Sequence, residues 1–261
     1  MKKSIQIIAT ALVILFGNSA VGQNDTMYVV QNGVVTSKTA ISDIDSVIFY
    51  NPIPIDTATN STITDADGNV YTSVTIGTQE WLVENLRTTK YSDGTAIPNV
   101  TGNTEWANDT LGAWCHYDND SSQYEATYGK LYNWYAASDS RNVCPTGWHV
   151  PTDSEWTVLT DYLAANGHNG AEGTALKATS GWNDYFGQSG NGTDDYGFSG
   201  LPGGDRYSNG DFASIGSGGY WWSSSRASTY YAWFRSLSVS YSFVTVGYDK
   251  KDGYSVRCLR D

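Results

Sequence analysis

Apolar residues recur at helical spacing after residue 152 of this chain. Three of them share one helix face: Trp156, Leu159 and Leu163. Thr152 and Glu155 have the spacing of a capping box, in which each side chain satisfies a backbone N–H of the first helical turn. Asn166 and Gly167 tolerate the left-handed conformation that ends many helices. The pattern therefore predicts a helix over residues 153–165.

Near the N-terminus the pattern is that of strands. Apolar residues fill 27–30 and 34–36 on either side of Asn32-Gly33, the dipeptide that most strongly indicates a β-hairpin. A third strand is predicted over 45–50. Together these elements predict a small β module over residues 23–50, which is too short to bury a sizeable core by itself.

The remainder of the chain predicts a linker and one larger domain. Residues 51–63 are rich in Pro, Thr, Ser and Asn, as linkers are, and residues 64–261 follow as the domain. Alternating strands open it, and a second short helix is predicted over 129–138. Short strands close it after a Gly-rich stretch: 220–224, 232–239, 243–248 and 254–260. This order predicts an α+β domain.

The first 22 residues have the pattern of a signal peptide. Lys2 and Lys3 precede an apolar run over 5–16, and small residues follow at 20–22. No later stretch is long and apolar enough to predict a transmembrane helix. We therefore expect an exported protein that is periplasmic, associated with the cell surface or secreted. The net charge of −12 argues against nucleic acid as a partner.

The chain has three cysteines, and in an oxidising compartment two of them would pair. We favour Cys144 with Cys258, because this bridge would join the entry of the central helix to the last strand. Either residue could instead pair with Cys115, and the sequence leaves both alternatives open.

Separate sequence blocks carry a family resemblance. They include Trp81-Leu82-Val83-Glu84-Asn85-Leu86, Tyr128-Gly129-Lys130-Leu131-Tyr132, Cys144-Pro145-Thr146-Gly147-Trp148, Tyr220-Trp221-Trp222-Ser223-Ser224 and Val256-Arg257-Cys258. In this order, residues 64–261 resemble the Fibrobacter succinogenes major paralogous domain family. The helix entry and the C-terminal block also resemble the formylglycine-generating branch of C-type-lectin-like folds. The resemblance implies a twisted antiparallel sheet, two helices and a long loop region at 167–218 that would carry any site.

This sequence lacks the metal-binding residues that the enzymes of that branch use. Formylglycine-generating oxidases bind copper through two cysteines a few positions apart, but Cys258 has no cysteine nearer than Cys144. Iron-dependent relatives need clustered histidines, whereas His116, His149 and His168 are scattered. We therefore expect a non-catalytic protein. Its acidic residues leave an acid-pair hydrolase as a third interpretation.

Aromatic and acidic residues in the predicted loops favour a binding function. The candidate ligand-binding residues are Trp182, Asn183, Asp184, Tyr207 and Tyr220, since aromatic faces beside amide and carboxylate oxygens suit sugars. Trp182-Asn183-Asp184 also resembles the element through which C-type lectins hold calcium. The sugar-binding tripeptides Glu-Pro-Asn and Gln-Pro-Asp are absent, so the resemblance does not extend to direct calcium-mediated sugar coordination.

Asp194 and Asp195 are the candidate calcium ligands, because adjacent carboxylates repel unless a cation or hydrogen bonds compensate them. The first functional hypothesis is thus an exported recognition or adhesion module that binds a glycan or a cell-surface protein through residues 167–218. The alternative is a structural or assembly component of the cell envelope without a small ligand. Exposure of Trp182, Tyr207 and Tyr220 around one concavity would favour recognition, and burial of all three would favour the structural role.

Overall fold

A computed structural model describes the backbone of residues 3–8, 26–31, 34–40, 44–50, 62–240 and 244–261, and the side chains of 62–240 and 248–261. The chain divides into two units, Met1–Ser61 and Thr62–Asp261. In the first unit, strands β2 (Thr26–Gln31) and β3 (Val34–Ala40) pair antiparallel, which confirms the hairpin predicted around Asn32-Gly33. Strand β1 (Lys3–Ile8) pairs parallel with β4 (Ile44–Tyr50). The predicted linker at 51–63 lies mostly outside the described residues.

The second unit is a mixed α+β fold in which sheets predominate and the main sheet is curled. A four-stranded sheet has the order β11 (Trp148–His149), β17 (Leu259–Arg260), β8 (Gln79–Leu82) and β7 (Ser73–Ile76). A five-stranded sheet has the order β13 (Phe212–Ile215), β12 (Gly203–Arg206), β14 (Gly218–Arg226), β15 (Tyr231–Ser238) and β16 (Val244–Asp249). Two short pairs complete the strands: β5 (Ile63–Thr64) with β6 (Val70–Tyr71), and β9 (Trp114–Cys115) with β10 (Leu131–Tyr132).

The central helix α4 (Asp153–Leu163) begins where the sequence predicts. Thr152 and Glu155 form the capping box, and Trp156, Leu159 and Leu163 are buried. Residues 164–168 continue as one wider turn, which ends in the left-handed conformation at Gly167 (φ +97°). Within the described residues, no helix is long and apolar enough to cross a membrane.

The second predicted helix is shorter than expected. Leu131 and Tyr132 form strand β10, because they pair with Trp114 and Cys115, and only α3 (Trp134–Ala137) is helical. The spacing of apolar residues at 129–138 fits either structure, and tertiary pairing decides between them. The sequence analysis did not predict three further short helices in the described residues: α1 (Asn103–Asn108), α2 (Ser121–Tyr128) and α5 (Glu172–Leu176).

The disulfide Cys144–Cys258 forms as predicted, and Cys115 is a free, buried thiol. The bridge spans 114 residues of sequence and ties the loop before β11 to the segment before β17. Both sulfurs lie in the largest core cluster, together with Tyr132, Trp222 and Val256.

We predict that Cys144→Ala/Cys258→Ala lowers the free energy of unfolding by about 2–5 kcal/mol, because a bridge across a long loop restricts the unfolded chain. Urea denaturation followed by tryptophan fluorescence measures this. Reductant should destabilise the wild type and leave the double variant unaffected. Equal stability of the wild type with and without reductant would contradict the prediction.

Candidate functional site

The strongest candidate site lies at an isolated antiparallel β-bridge between strand β12 and the C-terminal segment. The backbone N–H of Arg206 donates to the carbonyl of Gly253 (3.0 Å), and the N–H of Gly253 donates to the carbonyl of Arg206 (2.7 Å). Side chains alternate across a strand, so Asp205 and Tyr207 share one face with Asp252 and Tyr254. Arg206 points to the other face, where its guanidinium lies 4.4 Å from the ring centroid of Trp106.

Gly253 is required at this bridge. A Cβ at this position would lie 2.9 Å from the Trp106 ring and 3.1 Å from the Cβ of Arg206. Glycine therefore allows the two backbones to approach closely and keeps Asp252 directly opposite Tyr207.

We name the resulting surface the tyrosine–aspartate face and define it by six residues: Asp205, Tyr207, Tyr220, Tyr248, Asp252 and Tyr254. Tyr248 is included because its electrostatic interactions contribute to the raised pKa values of Tyr207 and Tyr220. Tyr220 joins it from β14, where its ring stacks on Tyr254 at 5.3 Å and 21°. The Tyr220 hydroxyl lies 3.4 Å from Ser214 Oγ. Tyr207 and Tyr248 are 46% and 51% exposed, so the face opens to solvent.

Asp205 is the most unusual residue of this face. It is only 3% exposed, and its Oδ1 has no hydrogen-bond partner among the described residues. Burial raises the pKa of the Asp205 carboxyl to about 6, although a hydrogen bond with the Ser214 side chain lowers it by a smaller amount. The charge of Asp205 is also the largest cause of the raised pKa of Tyr207, which indicates that the two groups are close.

Asp252 is a second buried carboxyl group on the same face, and it too is 3% exposed. It accepts a hydrogen bond from the Tyr254 hydroxyl at 3.2 Å. Burial, and then the charge of Asp249, raise the pKa of Asp252 to about 7. The face therefore holds two buried carboxyl groups whose charged forms are disfavoured, together with exposed tyrosine rings.

The residues predicted to bind ligand are only partly brought together. Tyr207 and Tyr220 belong to the tyrosine–aspartate face, and Asn183 packs close by against Gly216, at the turn that follows Ser214. Asp184 is exposed in the same loop as Asn183.

Trp182 does not offer a surface for stacking. It is 5% exposed and packs in the core with Leu176 and Phe198. Its indole N–H donates to the carbonyl of Gly200 (3.0 Å), and the Lys177 ammonium lies 5.2 Å from its ring centroid. In the same loop, Phe186 is 89% exposed.

Hydrogen bonds occupy the two candidate calcium ligands. Both carboxylate oxygens of Asp194 accept from Ser199, one from the backbone N–H (2.7 Å) and one from the hydroxyl (2.6 Å). Asp195 accepts from the Thr193 hydroxyl (2.9 Å) and lies 3.7 Å from His168. These bonds offset the repulsion that suggested a cation. Within the part of the chain that the structure describes, no group of three or more metal-binding side chains is close enough to hold an ion.

The three histidines lie apart, each beside a different carboxylate. His116 contacts Glu125 (3.2 Å), His149 lies between Glu155 and Asp261, and His168 faces Asp195. The histidines are therefore separated in the structure as they are in the sequence.

The family model for the Fibrobacter succinogenes major domain matches residues 74–260. The chain belongs to this family. No curated protein and no solved structure matched the chain. The match covers every residue of the tyrosine–aspartate face, which is therefore part of the Fibrobacter succinogenes major domain itself.

Asp252 and Tyr248 were missed by the sequence reasoning. Asp205 and Tyr254 were missed as well, and no spacing rule links Asp205 to Asp252 across more than forty intervening residues. The one local signal was Asp252-Gly253, a dipeptide typical of turns that here permits the close bridge. Long-range strand pairing creates this site, so the three-dimensional structure was needed to find it.

Replacement of Asp252 by Asn should make stability less sensitive to pH. The folded pKa of Asp252 is above the ordinary value of 3.8, so the wild type loses stability as pH rises from about 4 through about 7. Asn keeps the shape without the charge. Between about pH 5 and pH 8 the variant should gain on the order of 2 kcal/mol relative to the wild type.

Urea denaturation at several pH values measures this change. Asp161→Asn, an exposed change on α4, is the control for altered net charge. Parallel pH profiles for the wild type and Asp252→Asn would contradict the prediction.

Proposed function

We propose that residues 62–261 form an exported, non-catalytic recognition module that binds a glycan at the tyrosine–aspartate face. The observation that carries this proposal is the half-exposed ring of Tyr207 beside the buried Asp205, whose Oδ1 has no partner among the described residues. An unsatisfied buried oxygen is costly, and a ligand hydroxyl that reached it would remove that cost.

The chemistry of the face suits a sugar. Pyranose rings present apolar C–H groups that pack on tyrosine rings, and their hydroxyls bond to carboxyl and phenol groups. Tyr207 and Tyr248 supply exposed rings, while Tyr220 and Tyr254 form a stacked pair deeper in the face. Apolar surface combined with a few convergent polar groups is the usual composition of a ligand site.

The face overlaps only partly with the loop region at 167–218 that the sequence favoured. Asp205 and Tyr207 lie in that region, and the other four residues of the face follow it in sequence. Asn183 packs against Gly216, whose φ of +74° and closeness to the Asn183 amide leave no room for a side chain. Asn183 and Tyr220 thereby flank the turn at 214–217. The proposed surface runs from this turn to Tyr207 and excludes Trp182.

Export is supported by the N-terminal sequence pattern and by the disulfide. Such bridges persist in oxidising compartments and are rare in the cytosol. We infer a periplasmic, surface-associated or secreted location.

We further infer that the fold is of the C-type-lectin-like class. The curled antiparallel sheet supports this, as does the disulfide that joins the entry region of helix α4 to the last strand. The irregular segment between Lys177 and Gly203 is the counterpart of a long loop region.

One observation favours a second function, the acid-pair hydrolase. Two carboxyl groups with raised pKa values share a face, and a carboxylic acid that stays protonated near neutral pH can act as a general acid. Analysis of the reaction products after incubation with glycans distinguishes the two functions. Cleavage that is lost in Asp252→Asn would establish hydrolysis in place of simple binding.

We predict that Tyr207→Ala weakens glycan binding by about tenfold or more, because it removes the exposed stacking ring. A glycan panel screened with purified full-length protein selects the ligand, and calorimetry on wild type and variant gives the affinities. Each measurement is made with calcium and again with a chelator, so that any effect of calcium on binding is detected.

Phe186→Ala is the matched control, because Phe186 is an exposed aromatic residue in a different loop. Loss of binding in Phe186→Ala but not in Tyr207→Ala would move the site away from the tyrosine–aspartate face. An absence of glycan binding by the wild type would favour the structural envelope function.

A further inference from the structure

In the part of the chain that the structure describes, the charged groups of the tyrosine–aspartate face are carboxylates. Asp205 and Asp252 are buried in it, and Asp249 lies close enough to raise the pKa of Asp252. Among the described residues, none of these three carboxylates forms an ion pair. Within the described ranges, the charges of Asp205 or Asp252 contribute to the raised pKa values of four phenols: Tyr117, Tyr207, Tyr220 and Tyr254.

Three cationic side chains adjoin the face in sequence, but they donate hydrogen bonds to backbone carbonyls of other segments. The Arg206 guanidinium donates to the carbonyls of Gly210, Val100 and Thr101 on the opposite side of the bridge. The Lys250 ammonium donates to the carbonyls of Ser228 and Thr229.

Lys251 completes this set, because its ammonium donates to the carbonyl of Ala107. The three cations that adjoin the site in sequence therefore cap backbone carbonyls and leave the acids uncompensated. A buried carboxylate normally requires a cation or several hydrogen bonds, and Asp205 has an oxygen with neither.

The surrounding rings add a second preference for positive charge. The faces of aromatic rings attract cations, and an ammonium group held between rings and a carboxylate benefits from both interactions. Tyr207 and Tyr248 present exposed rings, and the charges of Asp205 and Asp252 both act on Tyr207.

We propose that this face recognises the ammonium group of an amino sugar, with Asp205 and Asp252 as its counter-charges and the tyrosine rings as its walls. This rests on the proposed glycan-binding function and names the substrate class. The sugar ring packs on the exposed Tyr207, and the charges of Asp205 and Asp252 attract the ammonium group. A neutral sugar satisfies the hydrogen bonds of the face but leaves its negative charge uncompensated.

The test compares two ligands that differ only at the sugar nitrogen, which is a charged amine in one and a neutral acetamide in the other. Calorimetry on the full chain uses short β-1,4-linked glucosamine oligomers and their fully N-acetylated counterparts, in a chelator, at physiological salt and near pH 7. We expect the glucosamine oligomers to bind about tenfold or more tightly than the acetylated ones. Asp205→Asn/Asp252→Asn should remove this preference, whereas Asp161→Asn, an exposed change on α4, should retain it.

Each outcome separates the two proposals. Equal affinity for both oligomers overturns the amino-sugar proposal and leaves glycan binding intact. A preference that survives in Asp205→Asn/Asp252→Asn also overturns it, because the acidic surface as a whole would then account for the attraction. If neither oligomer binds while another glycan of the panel does, only the amino-sugar proposal fails. If no glycan binds, both fail.

Discussion

The fold depends on a buried polar network centred on the side-chain amide of Asn85. Its Nδ2 donates to the carbonyl of Tyr128 (2.9 Å) and to Ser255 Oγ (3.2 Å), while its Oδ1 accepts from Trp221 Nε1 (2.8 Å) and Arg257 Nη2 (3.0 Å). One amide thus joins four segments that are far apart in sequence. Because all the donors and acceptors of this amide are used, loss of any partner leaves a buried polar group unsatisfied.

Arg257 explains why this network must form as a unit. Its guanidinium is fully buried, donates to the carbonyl of Phe198, and lies 4.2 Å from the Phe198 ring centroid. Burial lowers the pKa of Arg257 to about 9, which shows how strongly the site disfavours an unpaired charge. The same network positions the candidate site, because Trp221 and Ser255 point into it while their neighbours Tyr220 and Tyr254 stack on the tyrosine–aspartate face.

Short-range patterns were sufficient where a local interaction determines the structure. The capping box fixed the start of α4, and Asn-Gly fixed the N-terminal hairpin. Where partners are distant, the sequence was ambiguous or misleading. Leu131 and Tyr132 became a strand because Trp114 and Cys115 pair with them. Trp182 lies in the core although its neighbours in sequence are exposed, because its indole N–H donates to the buried carbonyl of Gly200. The disulfide was favoured by a fold-level argument, because no spacing rule selected it from three cysteines.

The uncompensated acids do not serve stability, and they support the proposed ligand binding. Alternation along β12 turns Arg206 away from Asp205, and the lysines after Asp249 cap carbonyls of other loops. A cation at any of these positions could have neutralised the face if stability alone had mattered. Proteins retain costly buried groups mainly where binding or chemistry uses them. The stacked tyrosines have the same implication, because a phenol at the core boundary keeps its ring in apolar surroundings and its hydroxyl within reach of a ligand. The free-energy cost of the uncompensated carboxyl groups therefore arises at the solvent-facing tyrosine–aspartate face, whereas the Asn85 network stabilises the adjoining backbone.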